Sequence, residues 1–166
     1  QFVNLPERVP SVSLELAVNE GKTEHPPRDM LRSNGWSVVN PDEVCPDMDS
    51  YRDYIQRSRA EWSVAKNGYV EGQAGWFSCR SACYMAAGRP VIVQDTGFTP
   101  VIPSGEGVLA FSTIDEAVAA IQAVESNYDR HAAAARDLAA TYFAADKVLS
   151  RFIEQAMTSP SFPDTR

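Results

Sequence analysis

The clearest hydrophobic pattern in the chain is the run Val91-Ile92-Val93. It is short, β-branched and free of alternating polar residues, which predicts a strand covered on both faces. We also predict short strands over residues 36–39, 61–65 and 108–111. Alternation of polar and apolar residues over 11–18 predicts one more strand, half-buried and near a sheet edge.

Helical spacing of apolar residues, together with capping signals, predicts six helices among these strands. Four of them cover residues 29–34, with Asp29 as the cap, 76–87, 128–143 and 146–157. Of the other two, one begins at Ser50 and one begins with the capping box of Thr113 and Glu116. Strands that alternate with helices predict an α/β fold with a Rossmann-like parallel sheet and helices on both faces. We expect one domain over residues 1–157 and a loose tail over 158–166.

The composition of the chain argues against some classes of binding partner. A chain of 166 residues with 44% hydrophobic residues is the size of one domain with a real core. Its net charge of -7 argues against nucleic acid or an anionic membrane as the main partner. No apolar run reaches the ~20 residues of a membrane span, so we expect a soluble, cytoplasmic protein. Because the chain begins with Gln1 rather than Met, we expect it to be a piece of a longer protein.

The cysteines do not indicate a metal site or a disulfide framework. There are three, Cys45, Cys79 and Cys83, and no histidine or second cysteine pair accompanies them. Cys79 and Cys83 are four residues apart and share a helical face, where the ordinary interpretation is two small buried residues.

Ligands of open α/β sheets bind beyond the carboxyl ends of the parallel strands. The loop after Ala65 meets this rule and runs into the start of the helix predicted over 76–87. Free backbone N–H groups there attract anions, and Ser78, Arg80 and Ser81 occupy the first turns. These residues could clamp a diphosphate. The alternative is a solvated Arg80 that pairs with a local carboxylate.

The turn Thr96-Gly97-Phe98 follows the buried strand directly. Its hydroxyl, flexible backbone position and aromatic face could hold a phosphate and a base or sugar ring, and the alternative is a tight turn with a buried phenylalanine. Lys66 could neutralise a phosphate or be an ordinary surface group. None of the common phosphate-loop or nucleophile-elbow motifs occurs, so spacing alone leaves the function undetermined and catalytic residues unassigned.

The block over residues 75–97 resembles the donor-binding segment in the C-terminal domain of GT-B glycosyltransferases. In that family a helix that ends in a small-residue-Gly-x-Pro-Val step leads into a strand and a glycine turn, as Ala87-Gly88-Arg89-Pro90-Val91 does here. The resemblance covers roughly residues 36–149. In particular, the chain is similar to a bacterial glycosyltransferase-like branch that carries a similar Gly-Trp-Phe-Ser block. It implies a nucleotide-sugar substrate, no cofactor, and an N-terminal acceptor domain as the partner that completes the enzyme.

Two positions depart from that family. Many members carry a ribose-binding glutamate where this chain has Cys83, and retaining members carry another acid where it has Gly75. The resemblance therefore leaves the stereochemistry open. It predicts the donor-binding half of a hexosyltransferase-type enzyme, inactive by itself. The alternative function is a non-catalytic Rossmann-like module for binding or assembly.

Overall fold

The computed structural model describes residues 1–19 and 27–158 and has the predicted α/β fold, in which every strand pair is parallel. The strands are β1 (Glu15–Ala17), β2 (Ser37–Val39), β3 (Glu61–Ser63), β4 (Val91–Gln94) and β5 (Val108–Phe111). The helices are α1 (Leu5–Arg8), α2 (Arg28–Ser33), α3 (Pro41–Val44), α4 (Met48–Arg57), α5 (Asn67–Glu71), α6 (Cys79–Ala86), α7 (Ile114–Ser126), α8 (Tyr128–Tyr142) and α9 (Ala145–Thr158).

The strands form two small parallel sheets flanked by helices, as the Rossmann-like α/β prediction implies. β1 pairs with β2, and β3, β4 and β5 pair in that order. Aromatic packing connects the two sheets: the rings of Trp36, just before β2, and Trp62, in β3, lie 5.1 Å apart. The indole N–H of Trp36 also donates to the carbonyl of Val3 at 2.6 Å. Between the two sheets, contact of these side chains takes the place of backbone hydrogen bonds.

β4 is buried on both faces, as its unbroken apolar run predicts. Ile92 lies in one core with side chains from α1 and α7, whereas Val91 and Val93 lie in a second core with side chains from α4, α6 and α8. Helices therefore cover both faces of the three-stranded sheet, which confirms that prediction. Each fully buried aliphatic side chain of this kind contributes about 1.5–3 kcal/mol to folding.

Several predicted boundaries are wrong because short elements lack a periodic signal. The strand expected over 11–18 is confined to β1, and three short helices, α1, α3 and α5, were not predicted. The strand expected over 36–39 does end at Val39, and the Asn40 side chain then caps α3, with Pro41 at the first helical position. Likewise, Asp47 caps α4 and Ser50 completes the capping box one turn later.

Other boundaries differ in ways that affect the candidate site. The loop expected at 66–68 is the start of α5, and β3 stops at Ser63 rather than Ala65. α6 begins at Cys79, with Ser78 as its N-cap, instead of at Trp76. Asp29 lies inside α2, which has no side-chain cap. The predicted box of Thr113 and Glu116 is present at the start of α7. Of the tail expected over 158–166, Thr158 is the last residue of α9, and residues 159–166 lie outside the part of the chain that the structure describes.

Gly107 determines how α8 docks beside β5, and it yields a stability prediction. Its φ is +74°, and a Cβ there would lie 2.3 Å from the backbone nitrogen of Ala135 in α8. We expect Gly107→Ala to lower the free energy of unfolding by about 3 kcal/mol or more, through backbone strain and overpacking. Gly105→Ala is the matched control, since φ is also positive but a Cβ would meet open space; it should cost about 1–2 kcal/mol. Urea denaturation of both variants measures the difference, and equal losses would contradict the packing argument.

Candidate functional site

A small cavity lies where the carboxyl ends of β3 and β4 meet the start of α6. Its volume is about 10 Å³, which is room for about one water molecule and far too little for a nucleotide. The polar residues of its lining are Ser63, Ser78, Ser81 and Gln94, and Trp76, Phe77 and Phe98 are among the apolar ones. This is the crevice that the strand-end rule selects.

Ser81 is the least satisfied polar side chain of the cavity. It is 1% exposed, and its Oγ has no hydrogen-bond partner among residues 1–19 and 27–158. The Oγ of Ser78 accepts a hydrogen bond from the backbone N–H of Arg80 at 3.2 Å and so caps the helix. Ser78 and Ser81 therefore do line the predicted crevice, and the first turn of α6 points its N–H groups toward it.

Arg80 pairs with a buried carboxylate that the sequence did not single out. Its Nε donates to Oε1 of Glu61 at 2.6 Å, and Glu61 is only 4% exposed. The second carboxylate oxygen, Oε2, has no partner in the described part of the chain. The alternative interpretation, a local ion pair, thus describes the contact of Arg80 with the protein, although about half of its side chain reaches solvent.

The electrostatics keep this arginine charged and its tyrosine neighbours neutral. Burial by itself would lower the pKa of the Arg80 guanidinium, but the hydrogen bond and the charge of Glu61 outweigh burial and raise that pKa. Burial raises the pKa of Tyr51 and of Tyr84 above the ordinary phenol value. The Arg80 guanidinium is therefore charged, with the Glu61 carboxylate as its partner and two neutral phenols nearby.

The turn at Thr96, Gly97 and Phe98 is occupied by the protein itself. Thr96 is fully buried, and its Oγ1 donates to the carbonyl of Trp76 at 2.6 Å. The N–H of Gly97 donates to Oδ1 of Asp95 at 2.9 Å, and Phe98 is 2% exposed in the second core. This is the tight turn with a buried phenylalanine that the sequence left as the alternative.

Of the other predicted site residues, Lys66 is exposed at the N-cap of α5 and does not line the cavity. Cys79 and Cys83 are exposed on α6, which corrects the expectation of two small buried residues. Gly75 has a φ of +68° and an exposed position.

Sequence reasoning missed Gln94, whose side-chain Oε1 accepts from the backbone N–H of Ala65 at 3.1 Å and so connects the ends of β4 and β3. It also missed Glu61. A charged residue at an inward position of a buried strand was the available signal for it.

Comparisons with known proteins add no family. No family model matches the chain, and no curated protein sequence is significantly similar to it. Within the described residues, no three metal-ligating side chains lie close enough together to hold an ion. No helix of that part of the chain has the length and apolar character to cross a membrane.

The Glu61–Arg80 pair generates a prediction about stability. Arg80→Met leaves a buried carboxylate without its cation, and we expect it to lower the free energy of unfolding by about 1–3 kcal/mol, less than for a fully buried pair because Arg80 is half exposed. The double variant Glu61→Leu/Arg80→Met removes both charges and should recover most of that loss. Denaturant titration at neutral pH is the measurement. A single variant as stable as the wild type would show that the pair contributes nothing.

Proposed function

We propose that this domain binds the diphosphate of a nucleotide sugar at the start of α6, as the donor-binding half of a glycosyltransferase. The observation that carries the proposal is the buried, unpartnered Oγ of Ser81 in the small cavity at the N-terminus of α6. A buried hydroxyl without a partner costs about 1–3 kcal/mol, so a ligand oxygen that completes it gains affinity. The resemblance of residues 75–97 to GT-B donor segments supports the same ligand.

Charge complementarity supports a diphosphate in particular. Arg80 donates to Glu61 through Nε, and its two terminal amino groups make no other hydrogen bond within the described residues. A guanidinium that is anchored in this way remains available to a phosphate oxygen. The backbone N–H groups and the dipole of α6 add positive potential at the same end of the helix.

The proposed reaction is glycosyl transfer. The bond between the sugar's anomeric carbon and the diphosphate oxygen breaks, and the leaving diphosphate retains the electron pair. Arg80 and the α6 amides stabilise that charge. The anomeric carbon forms its new bond to an acceptor oxygen, whose proton goes to a base that we place in a second, acceptor-binding domain. We expect this domain alone to bind the nucleotide without turnover.

A second function, a non-catalytic module for binding or assembly, has its own support. The cavity holds about one water molecule, and Thr96 and Gly97 already bond to protein groups. Cys83 and Gly75 stand where donor-binding acids occur in many GT-B enzymes. Affinity for nucleotides separates the two functions, because the assembly module requires none.

Ser81→Ala tests the proposal by separating binding from folding. The substitution removes a hydroxyl that is unpartnered in the free protein, so we expect the free energy of unfolding to stay the same or rise. Affinity for a nucleoside diphosphate should fall about threefold to tenfold, the value of one hydrogen bond. Calorimetry with millimolar UDP, GDP, ADP and TDP provides the affinities. Ser126→Ala, an exposed serine at the end of α7, is the control and should leave affinity unchanged.

Two results would count against the proposal. One is the absence of heat with all four nucleotides. The other is binding that Ser81→Ala leaves unaltered, since the ligand would then lie elsewhere.

A further inference from the structure

Residues 72–77, here called the strap, lie across the crevice. The N–H of Gly75 donates to the carbonyl of Thr96 at 2.7 Å, and Thr96 returns a hydrogen bond from its Oγ1 to the carbonyl of Trp76. The strap thus pairs with the turn in both directions. While these bonds are in place, a ligand cannot reach the Thr96 hydroxyl.

The strap packs closely against the turn at Gly97. A Cβ on Gly97 would lie 3.1 Å from the backbone carbonyl oxygen of Gln73, so the glycine lets the strap approach the turn directly. Trp76 and Phe77 complete the cover, since both line the cavity. These two strap residues therefore help to enclose the cavity of about 10 Å³ beside the start of α6.

The strap has few constraints that would keep it closed. Residues 72–76 are exposed, whereas β4 beneath them is buried. Gln73 has a φ of +44°, a left-handed conformation that costs a residue with a side chain about 1–2 kcal/mol, and Gly75 has a φ of +68°. Segments with exposed hydrogen bonds and little buried area open well before the core unfolds.

The two ends of the strap are held differently. Phe77 packs against Phe98 in the core, with ring centroids 5.1 Å apart, and against Phe143, at 5.6 Å. At the outer side, the ring of Trp76 is 39% exposed and stacks on Tyr69 of α5 at 5.2 Å. The strap is also bonded to α5, where the N–H of Ala74 donates to the carbonyl of Tyr69 at 3.2 Å and Gln73 donates to the carbonyl of Val70. Opening at the turn therefore requires the loss of the two Thr96 hydrogen bonds, together with either the surface stack or a movement of α5 with the strap, and Phe77 is the fixed end.

We propose that the strap is an autoinhibitory cover: it closes the crevice in the free protein and lifts so that the diphosphate can reach α6, Ser81 and Thr96. This inference rests on the proposed function and concerns how access of the ligand to the same site is regulated. A ligand that binds the open form pulls the equilibrium toward it, and its apparent affinity is reduced by the fraction of molecules that are closed. A phosphate oxygen replaces the Trp76 carbonyl as the acceptor for Thr96 Oγ1.

Amide hydrogen exchange read by NMR tests the cover without relying on turnover. The reporter is the N–H of Gly75, which is bonded only while the strap is closed. The N–H of Gly105, bonded to the carbonyl of Val108 at 2.8 Å, is the reference outside the strap. We expect millimolar UDP to speed exchange at Gly75, to slow exchange at the first amides of α6, and to leave Gly105 unchanged.

Tyr69→Ala removes the surface stack and should raise the open fraction. We expect hydrogen exchange at Gly75 to accelerate about threefold to tenfold, which corresponds to the stabilisation that one aromatic pair provides. The dissociation constant for UDP should fall by the same factor. Val70→Ala, in the same helix but with the stack intact, is the matched control and should change neither quantity. Agreement between the two factors is the quantitative signature of a cover, since both measure the same opening equilibrium.

Three outcomes separate the cover from the site. Slower exchange at α6 with no change at Gly75 would overturn the cover and leave the donor site intact. Binding to Tyr69→Ala but not to the wild type would support a cover that is closed most of the time. If UDP protects α6 in neither protein, the donor site fails, and the cover fails with it because an opened crevice takes no ligand.

Discussion

The geometry of the candidate site depends on the pairing of β4 with a parallel strand on each side. Val91 lies opposite Glu61 of β3 and Val108 of β5, so the three strands end at one edge of the sheet. Burial on both faces holds β4 in this register, because a slip by one residue would exchange the side chains of two different cores. The turn at Thr96 and the start of α6 both occupy this edge as a result.

The same register makes Glu61 and Arg80 partners. Glu61 opens β3 and faces the second core, where a carboxylate is costly unless a cation reaches it. Arg80 comes from the first turn of α6, between the cavity residues Ser78 and Ser81, although its own side chain is not part of the cavity lining. In the proposed function this one side chain has two roles: its Nε bonds to Glu61, and its terminal amino groups would bind the ligand.

The sequence could predict features that local patterns determine. The β-branched run of β4, the capping box of Thr113 and Glu116, and the α/β alternation each involve only neighbouring residues. Three-residue strands and four-residue helices are too short for periodicity to reveal, so α1, α3 and the true length of β1 were missed.

Contacts between distant segments could not be predicted either. Thr96 bonds to Trp76 across 20 residues, and Glu61 pairs with Arg80 across 19. The sequence located the crevice by the strand-end rule but gave no sign that a strap fills it.

The proposed function and the proposed cover both require that a nucleoside diphosphate binds at the start of α6, under the strap. Backbone amide chemical shifts recorded while UDP is added test it most directly, because they report every described position at once. We expect the largest changes at Cys79, Ser81, Thr96 and Gly75, and only small changes in the strands beneath. Changes confined to other surfaces, such as the exposed face of α9, would contradict it, as would a spectrum that UDP leaves unaltered.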